Sequence, residues 1–330
     1  MKLIGKVLTA IGAFVLILTM VSFVPTDFWA IRALDMVREM TIYGSTVLLI
    51  VGLIFGGRLR GWISALFGFS ALINLYCIWP YSELAATEIE LVQPASEDHC
   101  FTAMSANVLM DNNDFDAIMD QVRHIDPDVL LLTETNAEWI EQLRPLTSQY
   151  PHLREHPQED TFGKIFASRI AVVESDIIER AGEDTPTVEV LLRATDTDLI
   201  RFVGLHPKAP LPGQSTGQRD TSIMRAADAT EGSLEGAIVM GDFNDVPWSS
   251  TTRAFRKEGD WLDPRVGRGT YPTFPSTLLP AGWPLDQIMV HGKISVADFK
   301  VLGHNGSDHR AITGRFCLDR PVNRIGSAAD

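Results

Sequence analysis

Three apolar runs within the first 80 residues, Leu8–Val24, Thr41–Phe55 and Trp62–Trp79, constrain this chain more than any other feature. Each is 15–18 residues long and free of charge, close to the ~20 residues a helix needs to cross a hydrocarbon layer. One such run alone would fit a buried core helix or, at the N-terminus, a cleaved signal peptide. Three in succession, separated by short charged loops, predict a membrane anchor of three spans. Lys2 and Lys6 precede the first run, and Arg58 and Arg60 separate the second from the third. Positive loops stay cytoplasmic, so the path runs in-out-in-out and leaves everything after residue 80 outside the cytoplasm. The first connecting loop, with Asp27, Arg32, Asp35, Arg38 and Glu39, is nearly neutral.

Charge divides the chain at the same place. The anchor holds six of the 28 basic and three of the 42 acidic residues, so residues 81–330 carry 22 basic and 39 acidic side chains, a net charge of −17. Such a surface is poorly suited to nucleic acid, whose non-specific binding rests on Lys and Arg neutralising phosphate. Bound metal can offset the charge locally, so nucleic acid is disfavoured as a partner without being excluded. Three cysteines in no CxxC pattern do not make a zinc site or a disulfide-rich scaffold. No feature points to an obligate protein partner. The bilayer itself is the expected one.

After residue 98, strand-like and helix-like segments intersperse. Phe101–Leu109 and Val129–Thr133 read as strands, as do Ile170–Val173, Val188–Leu192, Leu199–Leu205, Ala237–Met240, Leu285–Val290, Val296–Val301 and Arg310–Cys317. Helices fit residues 115–125, capped by Asp114, then Ala137–Leu146 and Gly217–Ala229. The pattern predicts an α/β or α+β domain with layered sheets. The expected plan is an anchor over 1–80, a linker over 81–98, a catalytic domain over 99–318 and a flexible tail over 319–330.

Polar groups suited to chemistry end these strands. They are Asn107, Glu134, His206, the run Gly241-Asp242-Phe243-Asn244, then Asp286 and Ser307-Asp308-His309. Oxygen ligands in small number suit a hard cation such as Mg²⁺. The set fits metal-assisted attack on phosphorus, with Glu134 as ligand and Asp308 beside it. Asp242 is placed to deprotonate or orient water. Asn107 and Asn244 are neutral donors for phosphate oxygens. His309, its tautomer fixed by Asp286, and His206 are donors to a phosphoryl or leaving oxygen. Taken singly, each residue has a bland reading as a turn former, helix cap or strand end. Trp248, Trp261 and Trp283 read as core in preference to pocket wall.

In order and spacing these residues resemble the endonuclease/exonuclease/phosphatase superfamily over roughly 99–318. Gly163–Arg169 resembles its inner strand, and Gly269-Thr270-Tyr271-Pro272 its loop before the strand aspartate. The anchor and His206-Pro207 look like a bacterial membrane-bound branch. The resemblance implies a four-layered sandwich of two central β-sheets flanked by helices, with a divalent metal, Mg²⁺ or Mn²⁺, at one rim. It implies metal binding by Glu134, Asn107 and Asp308, and phosphate binding by Asn107, Asn244, His206 and His309. Asp242 would activate water, and Asp286 would pair with His309. One departure is that Gly163–Arg169 holds no acidic partner for His206, where deoxyribonuclease-like members carry one. In that family the first and last strands are neighbours, which would bring Cys100 and Cys317 within bonding reach. The expected function is hydrolysis of a lipid-linked or envelope phosphoester at the bacterial cell membrane, on its outer side. Two alternatives remain: an extracytoplasmic nuclease, and a catalytically inactive membrane-tethered binding domain of the same fold.

Overall fold

The apolar runs form helices α1 (Lys2–Val21), α3 (Arg38–Phe55) and α4 (Arg60–Ile78) in a computed structural model of the chain. The structure describes residues 2–93, 99–179, 185–209, 211–230, 234–278 and 282–318; the expected tail and the last residues of the linker lie outside them. Three segments, Leu3–Val21, Arg38–Phe55 and Gly57–Tyr81, are long and apolar enough to cross a membrane. They pack up-down-up. At one end Gly5 lies against Gly56 and Leu59; at the other, Thr19 meets Ser70 and Asn74, and Arg38 reaches Asn74 and Ser22. A Cβ on Gly52 would sit 2.2 Å from Ile63 Cγ2, so the missing side chain sets how closely α3 and α4 approach.

The first connecting loop is not a plain loop. Trp29–Met36 forms a helix, α2, because its two charged residues, Arg32 and Asp35, are buried and paired at 3.1 Å. Arg38 pairs with the same aspartate.

From Cys100 on, the described residues form a domain of two sheets. Six strands run in the order β10 (Ile294–Val301), β11 (Ile312–Leu318), β1 (Cys100–Asn107), β2 (Val129–Thr133), β4 (Lys164–Ser168) and β3 (His152–His156). Five more run β5 (Ala171–Ile178), β6 (Thr187–Arg193), β7 (Leu199–Leu205), β8 (Gly236–Asp242) and β9 (Asp286–Gly292). Alternation along each strand, which points successive side chains to opposite faces, divides the core. Phe101 and Ala103 of β1, Val129 and Leu131 of β2, and Ile238 and Met240 of β8 fill the space between the sheets. Met104, Ala106, Leu130 and Leu132 turn outward to cover α5 (Phe115–Ile125) and α6 (Ala137–Thr147). Ala237 and Val239 turn the other way, toward α7 (Gly217–Ala227) and α8 (Ser250–Glu258). Helices, sheet, sheet, helices make the four-layered α/β sandwich.

Asp114 caps α5, its carboxylate accepting from the Ala117 amide. Three elements escape the sequence pattern: α2, α8 and β3. Cys100 stands directly opposite Cys317 in the β1–β11 ladder, and the two form a disulfide spanning 217 residues. Cys77 is free and buried.

The N-terminal helices dock on this domain. Trp248 Nε1 donates to the Asp35 carbonyl at 2.8 Å and Trp283 Nε1 to the Met36 carbonyl at 2.7 Å. Arg32 donates to Ser250 and Thr251. Tyr81, ending the third apolar segment, packs edge-on against Trp248 and donates to the Pro247 carbonyl. Beyond it, Leu91 bridges to Val296, so the first part of the linker is held along the six-stranded sheet.

Candidate active site

All eight residues singled out in the sequence fall at one rim, because each lies at or beside a strand end there: Asn107 closing β1, Glu134 after β2, His206 after β7, Asp242 closing β8, Asp286 opening β9, and Asp308-His309 before β11. Asn244 follows Asp242 by two residues. The turn after β8 depends on Gly241, whose φ of 135° and position would drive a Cβ to 2.0 Å from the Leu205 carbonyl oxygen. Glu134 and Asn244 hold positive φ values of 62° and 49° without being glycine, a backbone cost that functional sites commonly carry.

Asn107 lies between two carboxylates. Its Nδ2 donates to Glu134 Oε1 at 2.8 Å and to Asp242 Oδ2 at 3.2 Å. Its Oδ1 accepts from the Leu109 amide, which leaves that oxygen a second lone pair. Asp242 Oδ1 accepts from the Asn244 amide at 2.8 Å. Asn244 in turn is fastened by its Nδ2 to the Pro207 carbonyl, and Arg219 donates to its carbonyl oxygen. The Ser307 hydroxyl donates to the Asn107 carbonyl at 2.8 Å and accepts from the His309 amide, tying the last loop to the first strand.

His309 Nδ1 lies 2.8 Å from Asp286 Oδ2, and its Nε2 faces Asp242 Oδ2 at 3.6 Å. Burial alone would lower the imidazole's pKa, yet Asp286 and Asp242 outweigh it and hold the ring protonated well above its ordinary range. Burial pushes the Asp242 carboxyl up, with Asp286 adding to it and His309 opposing. Burial likewise raises Glu134 against the hydrogen bonds from Asn107 and Met110.

His206 behaves differently. Its Nε2 lies 3.8 Å from Glu134 and 3.6 Å from Asp242, while its buried Nδ1 has no hydrogen-bond partner among the described residues. Burial, then the neighbouring Lys164 and His309 charges, hold its pKa well below the ordinary imidazole range. Lys164 is the residue β4 supplies where an acidic partner was sought. Fully buried, with Nζ donating to the Phe162 carbonyl at 3.0 Å, it is pushed down to about 7 by burial.

The rim opens into a cavity of about 310 Å³ that Glu134, His206, Asp242, Asn244 and His309 line. Its apolar side includes Phe274, Trp283 and, from the end of α2, Met36. Trp283 is thus pocket wall, contrary to the core reading, whereas Trp248 and Trp261 are core. No periodic signal marks Met36 or Lys164 as site residues.

The family model for endonucleases, exonucleases and phosphatases matches residues 104–309. The chain belongs to this family. Solved structures share its fold. An endonuclease/exonuclease/phosphatase family protein from Bacteroides thetaiotaomicron is 19% identical, with TM-score 0.55, over 69% of this chain and 100% of that one. The human Nocturnin catalytic domain with bound sulfate is 18% identical, TM-score 0.55, over 67% and 95%. D. rerio TDP2 complexed with a single-strand DNA product is 15% identical, TM-score 0.56, over 66% and 98%. No curated protein sequence matches significantly. Family membership makes the chain a metal-dependent hydrolase of phosphoester bonds.

The residues present fit a divalent metal. Glu134 and Asp242 face one cavity, and the ionic partners they have among the described residues are histidines, not Lys or Arg. That leaves negative charge for a cation to balance. Ligand atoms of Asp242, Asp286 and His309 also lie within 4.8 Å of one another. His309 Nδ1 is already committed to Asp286, so the Glu134 side, with the second lone pair of Asn107 and the half-buried Asp308, offers the freer oxygens.

Proposed function

We propose that this protein is a membrane-anchored phosphodiesterase that uses Mg²⁺ or Mn²⁺ and acts outside the cytoplasm on a lipid-linked or envelope phosphoester. The observation that carries the reading is the meeting of Asp242 with Asn107, His309 and His206 at one cavity. Held by Glu134, Asn107 and Asp308, the cation would supply positive charge to a phosphoryl oxygen. Asp242 Oδ2, raised by burial, takes a proton from water as the water oxygen bonds to phosphorus. The bond from phosphorus to the ester oxygen breaks, the departing oxygen takes a proton from solvent while Asp242 later returns its own to solvent, and the products are a phosphomonoester and an alcohol. His309, kept protonated by Asp286, donates from Nε2 to a non-bridging oxygen as charge accumulates there. Neutral His206 and the second Nδ2 hydrogen of Asn244 are suited to orient the phosphate. Proton delivery by His206 to the leaving oxygen fits its position but not its lowered pKa.

The test uses the full chain in detergent micelles. Bis(p-nitrophenyl) phosphate should be hydrolysed with Mg²⁺ or Mn²⁺, chelator should stop the reaction, and Asp242→Asn should cost on the order of 10²-fold or more in kcat. Wild-type turnover in folded Asp242→Asn overturns the assignment. Nicking of supercoiled DNA, run beside it, is the readout for the nuclease alternative, which the −17 charge of residues 81–330 disfavours.

A further inference from the structure

The catalytic rim and the anchor share a wall. Met36 faces the cavity that holds Glu134, Asp242 and His309, and it is the last residue of α2, two positions before Arg38 begins an apolar helix long enough to span. Its place is fixed from both sides. The last carbonyls of a helix have no partner within it; here the indoles of Trp248 and Trp283 supply donors at 2.8 and 2.7 Å. One turn earlier Arg32 grips Thr251 at 3.0 Å, and Asp35 joins Arg32 to Arg38. Trp283 therefore does two things: it fastens α2 and lines the same cavity beside Phe274.

We propose that α2 is a wall of the active site and Met36 a specificity-determining residue, selecting phosphodiesters carried on lipids of the adjoining leaflet. The inference rests on the phosphodiesterase reading above and adds the substrate class. A mouth two residues from a span is reached from the side by a headgroup whose chains stay in the bilayer. With phosphorus beside Asp242 and the chains directed toward the bilayer, the acyl esters and first chain methylenes, which deacylation removes, pass the Met36 thioether and the Trp283 ring. Methionine's unbranched, polarizable side chain adapts well to such alkyl segments. A water-soluble diester of the same headgroup gains none of that contact.

The experiment compares two probes on the full chain in dodecyl maltoside micelles: phosphatidylglycerol and its deacylated, water-soluble form, glycerophosphoglycerol. The lipid should be preferred in kcat/KM by about tenfold or more, the scale of a few apolar contacts, and its rate should fall as detergent dilutes it at constant bulk concentration. Met36→Gln should narrow the preference by about tenfold, and Met36→Leu should keep it. Where neither probe turns over, the same comparison is read as competition against bis(p-nitrophenyl) phosphate. Equal handling of the two probes, or a preference untouched by Met36→Gln, overturns the inference while leaving the phosphodiesterase reading intact. Failure of bis(p-nitrophenyl) phosphate itself to react overturns both.

Discussion

The sharpest arrangement at the scale of single residues is Asp286–His309–Asp242. Asp286 Oδ2 holds Nδ1 at 2.8 Å, which leaves Nε2 toward Asp242. Asp286→Asn should lower kcat by roughly 10²-fold with the fold intact, because an amide neither charges nor orients the imidazole as a carboxylate does. In a His309→Ala background the same change should cost little, since coupled residues fail together. Fully additive losses in that double-mutant cycle would show that the two side chains act separately. The groups in this arrangement were legible in the sequence because each borders a buried strand and is more polar than the run beside it. Lys164 and Met36 were not. Lys164 opens an apolar strand as any surface lysine could, and only the tertiary fold makes it fully buried. Trp283 finds its indole partner 247 residues away, beyond any local pattern.

Elements were legible where periodicity was strong. Strand β2 is five buried residues in a row, and α5 has one apolar stripe and a side-chain cap. Elements built from polar residues were not, since α8 carries Phe255 as its only large apolar side chain and β3 reads His-Leu-Arg-Glu-His; the short helix α2 was hidden by two charges that only the fold pairs and buries. β3 lies at a sheet edge, where alternation has less to bury. At this scale the β1–β11 register gives a covalent prediction. Protein taken from its native envelope, alkylated without reduction and digested, should yield a linked Cys100–Cys317 peptide with Cys77 as a thiol. Alkylation at both Cys100 and Cys317 in exported, folded protein would rule the bond out. Closing so long a loop constrains the unfolded chain by roughly 5 kcal/mol in the chain-entropy account, so Cys317→Ser should lower the melting temperature. Such a bond persists in an oxidising compartment.

For the whole molecule, the bundle puts Arg58 at the end beside Gly5, and the catalytic domain at the other. With positive loops cytoplasmic, the proposed orientation puts that domain outside the cytoplasm. Reporter fusions after residue 90 should register outside the cytoplasm, and insertions between residues 56 and 61 inside; the reverse pattern would overturn the orientation. The clamp formed by Arg32, Asp35, Trp248 and Trp283 has a further bearing. A catalytic head on a loose tether samples a volume, but one bolted to its anchor keeps its mouth at one height and one attitude. On the proposed topology, encounter is then a search in a plane, governed by how many substrate molecules occupy each patch of membrane, and the enzyme's rate would follow the crowding of its own leaflet.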